Sequence, residues 1–201
     1  MPSRPLLLFA PGAGAPSTSA WMGAWARRLA SVGDVVRFDY PYMKAGRKSP
    51  DRLPALVAAH RAALGEARAE HGGAAVPTVL VGKSMGGRVG CHVALEEPVA
   101  GLVCLGYPLV GQRGDVRSEV LLALRAPVLF VQGTKDTLCP LERLEEVRGR
   151  MTAPSALHVV EGGDHSLDVG VRALAARGER QEDVDRRVLE AVAAFVAGLA
   201  R

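Results

Sequence analysis

The sequence predicts an α/β fold: a single domain over residues 1–201, with a mostly parallel sheet of about six strands and helices on both faces. Three observations lead there. Short apolar runs alternate with longer Ala/Arg/Leu-rich stretches along the 201 residues, and strands alternating with helical stretches imply βαβ units. The runs are continuously apolar, as in strands buried on both faces. The Gly-rich turns follow these runs, at the strand ends where such folds carry their sites.

The elements follow in order. PLLLFA, from Pro5, reads as the first strand, and STSAWMGAWARRLASVG as a helix capped by Ser17, Thr18 or Ser19. DVVRFDY, ending at Tyr40, is a second strand, and PYMKAGRKSPDRLP reads as a loop. Leu53 to Glu70 is helical and ends at HGG. TVLVG is a third strand, followed by a helix from Met85 to Glu97. GLVCLGY and PVLFVQG are the fourth and fifth strands, Leu141 to Met151 a helix, ALHVV a sixth strand. A last helix starts at about Glu182. Tyr42–Pro50, Val110–Ser118 and Ser166–Gln181 read as irregular. No lid-sized insertion is visible.

Composition narrows the function. The chain is 48% hydrophobic and 23% charged, which is globular; with 4% aromatics, Ala, Val and Leu must build the core. The formal charge of +4 is spread along the chain, unlike the dense basic stripe of a nucleic-acid binder. Three cysteines, Cys91, Cys104 and Cys139, form no CxxC pair, which argues against zinc and disulfides and for a reducing compartment. The apolar run Leu6–Ala10 falls short of the roughly 7–15 residues of a signal h-region. No run approaches the roughly 18 residues of a membrane span. The expectation is a cytoplasmic protein starting at Met1, with no membrane partner, cofactor or metal.

The stretch VLVGKSMGG, Val79 to Gly87, carries the chemistry. Gly-Lys-Ser ends a phosphate-binding loop, but that motif needs a glycine at position 77, which is Pro77, and four flexible residues where this chain has strand formers. Gly82, Ser84 and Gly86 fit instead a nucleophile elbow, a strained turn between strand and helix. A plain helix N-cap would explain Ser84 but not its glycines. An acid and a base should follow in that chain order. PVLFVQGTKD ends at Asp136 and LHVVEGGDH at His165, both on the strand edge of Ser84. Asp115 and Asp164 are rival acids, and Asp136 alone could cap a turn. Among the other histidines, His60 and His71 lie on or beside a charged helix and read as solvated, His92 lies within the elbow helix and His158 in mid-strand. The N–H of Met85 would be one oxyanion donor, and a second should come from PGAGAPS, Pro11 to Ser17. A dinucleotide fingerprint there, with Asp39 on the ribose, fails because its third glycine falls on Ser17.

Taken together, PGAGAP, VVRFDYPYM, VGKSMGGRV, GLVCLGYPL, VQGTKD and GGDHSL resemble the α/β-hydrolase superfamily. More narrowly, the chain is similar to small lidless bacterial hydrolases related to a scaffold subunit of the NSL histone-acetyltransferase complex, with dienelactone hydrolases as wider cousins. The resemblance implies Ser84 as nucleophile, Asp136 as acid, His165 as base, and Ala13 as the second oxyanion donor, with Gly14 as fallback. It also implies that two edge strands of the usual fold are missing. Pro11 stands where the family usually has His, and Ser84 where dienelactone hydrolases have Cys. The function expected is hydrolysis of an ester or thioester of a small acyl substrate; the alternative is a non-catalytic scaffold or binding protein on the same fold. Lys83, Arg47, Lys48 and Arg88 either attract an anionic acyl group or are solvated. Tyr42, Met43 and Tyr107 are expected to line the acyl pocket, and Trp21 and Trp25 to pack.

Overall fold

A computed structural model describes residues 4–111 and 114–199. Its strands are β1 (Leu6–Ala10), β2 (Asp34–Arg37), β3 (Thr78–Lys83), β4 (Gly101–Leu105), β5 (Val128–Gly133) and β6 (Ser155–Val160). The helices are α1 (Ala20–Leu29), α2 (Pro41–Lys44), α3 (Leu53–Glu70), α4 (Met85–Val93), α5 (Glu119–Ala123), α6 (Leu141–Arg148), α7 (Val171–Arg177) and α8 (Gln181–Gly198). The strands form one sheet in the order β2-β1-β3-β4-β5-β6, every pairing parallel.

Side-chain alternation divides the core into two layers. Leu6, Leu8, Leu80, Leu102 and Phe130 face one way, against Leu64 of α3, Cys91 of α4, Leu121 of α5 and Leu144 of α6. Leu7, Phe9, Val81, Val103 and Val131 face the other, against Trp25 and Leu29 of α1 and Val188 and Val192 of α8. The central strands are buried on both faces, as their unbroken apolar runs require.

The structure departs from the sequence reading at weakly patterned places. β2 ends at Arg37 instead of Tyr40, and α4 ends at Val93 instead of Glu97. Three short helices, α2, α5 and α7, fall where or beside where irregular chain was expected. They span one or two turns, too short for an apolar period to show. α2 begins with Pro41, whose fixed φ suits a first turn.

His60 is not solvated. It is fully buried, with Nδ1 3.1 Å from the Tyr40 hydroxyl and its ring 4.9 Å from that of Phe38. Burial drives its pKa down to about 3, so it packs as a neutral ring. All three cysteines are free and buried, and burial pushes the Cys139 thiol up to about 12, away from a reactive thiolate. Among the described residues no helix is long and apolar enough to cross a membrane, and no His, Cys, Asp and Glu cluster is arranged to hold a metal.

Candidate active site

β3 runs directly into α4 through Ser84, which takes φ 48° and ψ −115°. A side chain at positive φ is strained, and the surroundings must hold it there. The Ser84 N–H donates to the Leu105 carbonyl at the end of β4 (3.0 Å), and the Ser84 carbonyl accepts the Arg88 N–H (3.1 Å). The glycines leave room for so sharp a turn. A Cβ on Gly82 would lie 2.1 Å from the Gly87 nitrogen, and one on Gly86 2.5 Å from the Ala10 carbonyl oxygen. Those neighbours are backbone and cannot step aside. Gly82→Ala is therefore expected to destabilise the fold by more than about 3 kcal/mol, beyond ordinary overpacking. A thermal melt by circular dichroism checks this, and a variant melting with the wild type would contradict it.

The turns after β5 and β6 are stitched together. Lys135 N–H donates to the Gly163 carbonyl and Gly162 N–H to Thr134 Oγ1, each at 2.8 Å. This brings the turn bearing Asp136 against the loop bearing His165. His165 Nδ1 lies 2.7 Å from Asp136 Oδ2, and His165 Nε2 lies 2.8 Å from Ser84 Oγ. A carboxylate only accepts, so Nδ1 carries the hydrogen and Nε2 keeps the lone pair facing the serine. Asp136 is buried. Its Oδ1 accepts the Leu138 N–H at 2.9 Å and its Oδ2 the Gln132 amide, whose oxygen in turn holds the Tyr107 N–H at 3.0 Å. Gln132 is absent from the sequence reading; its one signal is a polar side chain in an otherwise apolar strand.

The rival acids lie elsewhere. Asp115 is exposed and pairs with Arg117 at 3.5 Å. Asp164 shapes the histidine loop by accepting the N–H groups of Ser166 (2.7 Å) and Asp168 (3.0 Å).

Met85 opens α4, so its N–H is a first-turn donor with no intrahelical acceptor. Ala13 stands opposite in the loop after β1, lining the same cavities as Ser84. Three bonds fix that loop: Tyr42 hydroxyl to Ala13 carbonyl (2.9 Å), Ser17 N–H to Asp39 carboxylate (2.6 Å) and Arg37 guanidinium to Ser17 carbonyl (2.6 Å). Asp39 is a loop brace here, and Pro11 is buried where the chain leaves β1.

Several expected pocket residues take other places. Tyr107 lies wholly in the core, edge to face with Phe130. Tyr42 and Met43 border a separate hollow beside the Ala13 loop, with Arg47 and Lys48 at its rim. Trp25 packs as expected, but Trp21 also forms a wall of the site, donating its indole N–H to the Ser166 carbonyl at 3.0 Å. Lys83 is not a solvated charge. Its ammonium sits 5.2 Å from the centre of the Trp21 ring and donates to the His165 carbonyl. Burial lowers its pKa to about 8, with Asp136, Asp164 and Asp168 opposing that shift. Lys83 thereby ties the histidine loop to the elbow. Arg47 and Lys48 are exposed.

Two cavities meet at Ser84. One, of about 300 Å³, is lined by Gly12, Trp21, Lys83 and His165. The other, of about 390 Å³, is lined by Leu53, Met85, Arg88 and Leu138.

Known proteins share this architecture. A family model described as an alpha/beta hydrolase domain matches residues 3–197. The chain is 31% identical over 105 residues to protein sumv-2 of Caenorhabditis elegans, a match covering 51% of this chain and 9% of that protein. An alpha-beta serine hydrolase homologue from Coxiella burnetii superposes with a TM-score of 0.69 at 19% identity, over 92% of this chain and 88% of that one. A dienelactone hydrolase from Anabaena variabilis superposes with a TM-score of 0.65 at 19% identity, over 91% and 85% of the two chains.

Proposed function

The chain belongs to the alpha/beta hydrolase family, and on that premise we propose that it is a serine hydrolase cleaving an ester or thioester of a small acyl substrate. The observation that carries the reading is the unbroken hydrogen-bond path from Asp136 through His165 to Ser84, at 2.7 and 2.8 Å. Along it His165 Nε2 takes the Ser84 proton as Oγ attacks the acyl carbon, and the Asp136 carboxylate stabilises the imidazolium. The carbonyl oxygen, now negative, accepts from the N–H groups of Met85 and Ala13. The tetrahedral species collapses, His165 gives its proton to the departing oxygen or sulfur, and an acyl group remains on Ser84. A water molecule, deprotonated by the same imidazole, then releases the acid. Free buried thiols suit a reducing compartment, so the proposed location is the cytoplasm, and the proposed partner is a small acyl compound, with neither nucleic acid nor membrane involved.

A fluorophosphonate probe tests the reading. It is expected to label Ser84 and to spare Ser84→Ala, read by peptide mass spectrometry. A binding protein on the same fold would stay unlabelled. A panel of short nitrophenyl esters and acyl-CoA thioesters then sorts ester from thioester.

A further inference from the structure

The direction of the chemistry tells the two cavities apart. A leaving group must depart past the imidazole that protonates it, and His165 lines only the 300 Å³ cavity. The cavity of about 390 Å³ is bordered by Ser84, Ala13 and Met85 without the histidine, so it is the side for the acyl group. Leu53, Leu56 and Leu138 give it an apolar wall.

Arg88 also lines this acyl cavity. It lies one turn beyond Ser84, and the two residues border the same cavity. Its Nε is buried without a hydrogen-bond partner, and among the described residues its guanidinium makes no ion pair. The other charges lining the cavity are matched: Asp51 with Arg47 at 2.6 Å, Arg117 with Asp115 at 3.5 Å. One uncompensated positive charge remains, next to apolar wall. A partly buried charge without a partner is costly, and a ligand that supplies the partner recovers that cost.

We propose that Arg88 receives a carboxylate at the far end of the acyl group, so that the substrate is a half-ester or half-thioester of a short dicarboxylic acid. The identification rests on the hydrolase reading above. A guanidinium binds a carboxylate through two parallel N–H donors. A single free positive charge, in a cavity that Asp51 also lines, matches one negative charge better than a phosphate dianion. The apolar wall accommodates the methylene chain between the two carbonyl carbons.

The test uses matched aryl esters of succinate, glutarate and adipate, each with its far carboxylate free or methyl-capped. The readout is the ratio of kcat/KM for the free over the capped ester, which cancels any loss of folded protein. The wild type should favour the free carboxylate by roughly 10- to 100-fold, the worth of a charge-assisted hydrogen bond. Arg88→Met should bring the ratio to about one, and Arg88→Lys should keep part of it. A wild-type ratio at or below one for all three acids, or an unchanged ratio in Arg88→Met, overturns the proposal. Turnover of neither ester counts against the hydrolase reading instead. Calorimetric binding of the glutarate half-ester to Ser84→Ala and to Ser84→Ala/Arg88→Met then decides the carboxylate site by itself. Binding at least about tenfold weaker in the double variant supports it, and no binding to Ser84→Ala, or equal binding by the two, overturns it.

Discussion

Ser84→Ala is expected to lower turnover of an activated ester by roughly 10⁴- to 10⁶-fold while leaving the fold intact. The two halves of that expectation have separate causes. Turnover falls because the substitution removes the hydroxyl that His165 Nε2 contacts, leaving just binding and the proposed Met85 and Ala13 donors. The fold survives because, among the described residues, the serine Oγ has no bond other than that to His165. The backbone bonds of residue 84 to Leu105 and Arg88 are unchanged by the substitution. Kinetics on one nitrophenyl ester and a melting curve check both halves. Retention of more than about a tenth of the activity would remove Ser84 from the mechanism, since nucleophile losses are far larger.

The second large effect belongs to Asp136. In Asp136→Asn one carboxylate oxygen becomes an NH₂ group. At the Oδ2 position it would face two donors, His165 Nδ1–H and the Gln132 amide. With the amide flipped, it would face the Leu138 N–H instead. His165 escapes the first conflict by moving its hydrogen to Nε2, which removes the lone pair proposed to receive the serine proton. The expected loss in turnover is up to about 10⁴-fold, with the protein still folded. Asp115→Asn, which alters an exposed pair, should change turnover little. Asp164→Asn keeps an oxygen for Ser166 and Asp168 and should also have a small effect. All three variants are compared on one ester. Should Asp115→Asn prove the most damaged, the acid lies after β4 and the assignment fails.

The sheet is legible in the sequence because strands buried on both faces are built mainly of apolar residues, and the runs of β1, β3, β4 and β5 show that despite the buried Thr78 and Gln132. The positions of Ser84, Asp136 and His165 are legible for a related reason: parallel strands deliver the turns that follow them to one edge. What holds those residues is less visible. Lys83 reads as a surface charge because lysine normally is one; the Trp21 ring and the His165 carbonyl that receive it come from distant parts of the chain. Gln132 and Tyr42 act through single hydrogen bonds that leave no periodic trace. His60 sits in a helix with charged neighbours, but it falls on that helix's buried stripe between Leu56 and Leu64 and packs against Phe38 and Tyr40.

The strand order has a consequence for how the chain acquires its shape. Every pairing is parallel, so no two strands can zip through a tight hairpin; β1, first made, must wait for Thr78 to arrive before Leu6 gains its partner on that side. Such remote pairings slow folding, because chain entropy is lost before the contacts repay it. During synthesis the serine turn is closed once β4 has docked, since Leu105 supplies its last backbone bond. The histidine emerges only after β6, and the layer of the core that α8 covers is filled later still. Through that interval the nascent chain carries a strained serine with no base beside it, chemically silent. Recovery of hydrolysis on refolding would therefore be a late clock, keeping time with the final third of the chain and not with the burial of the central sheet.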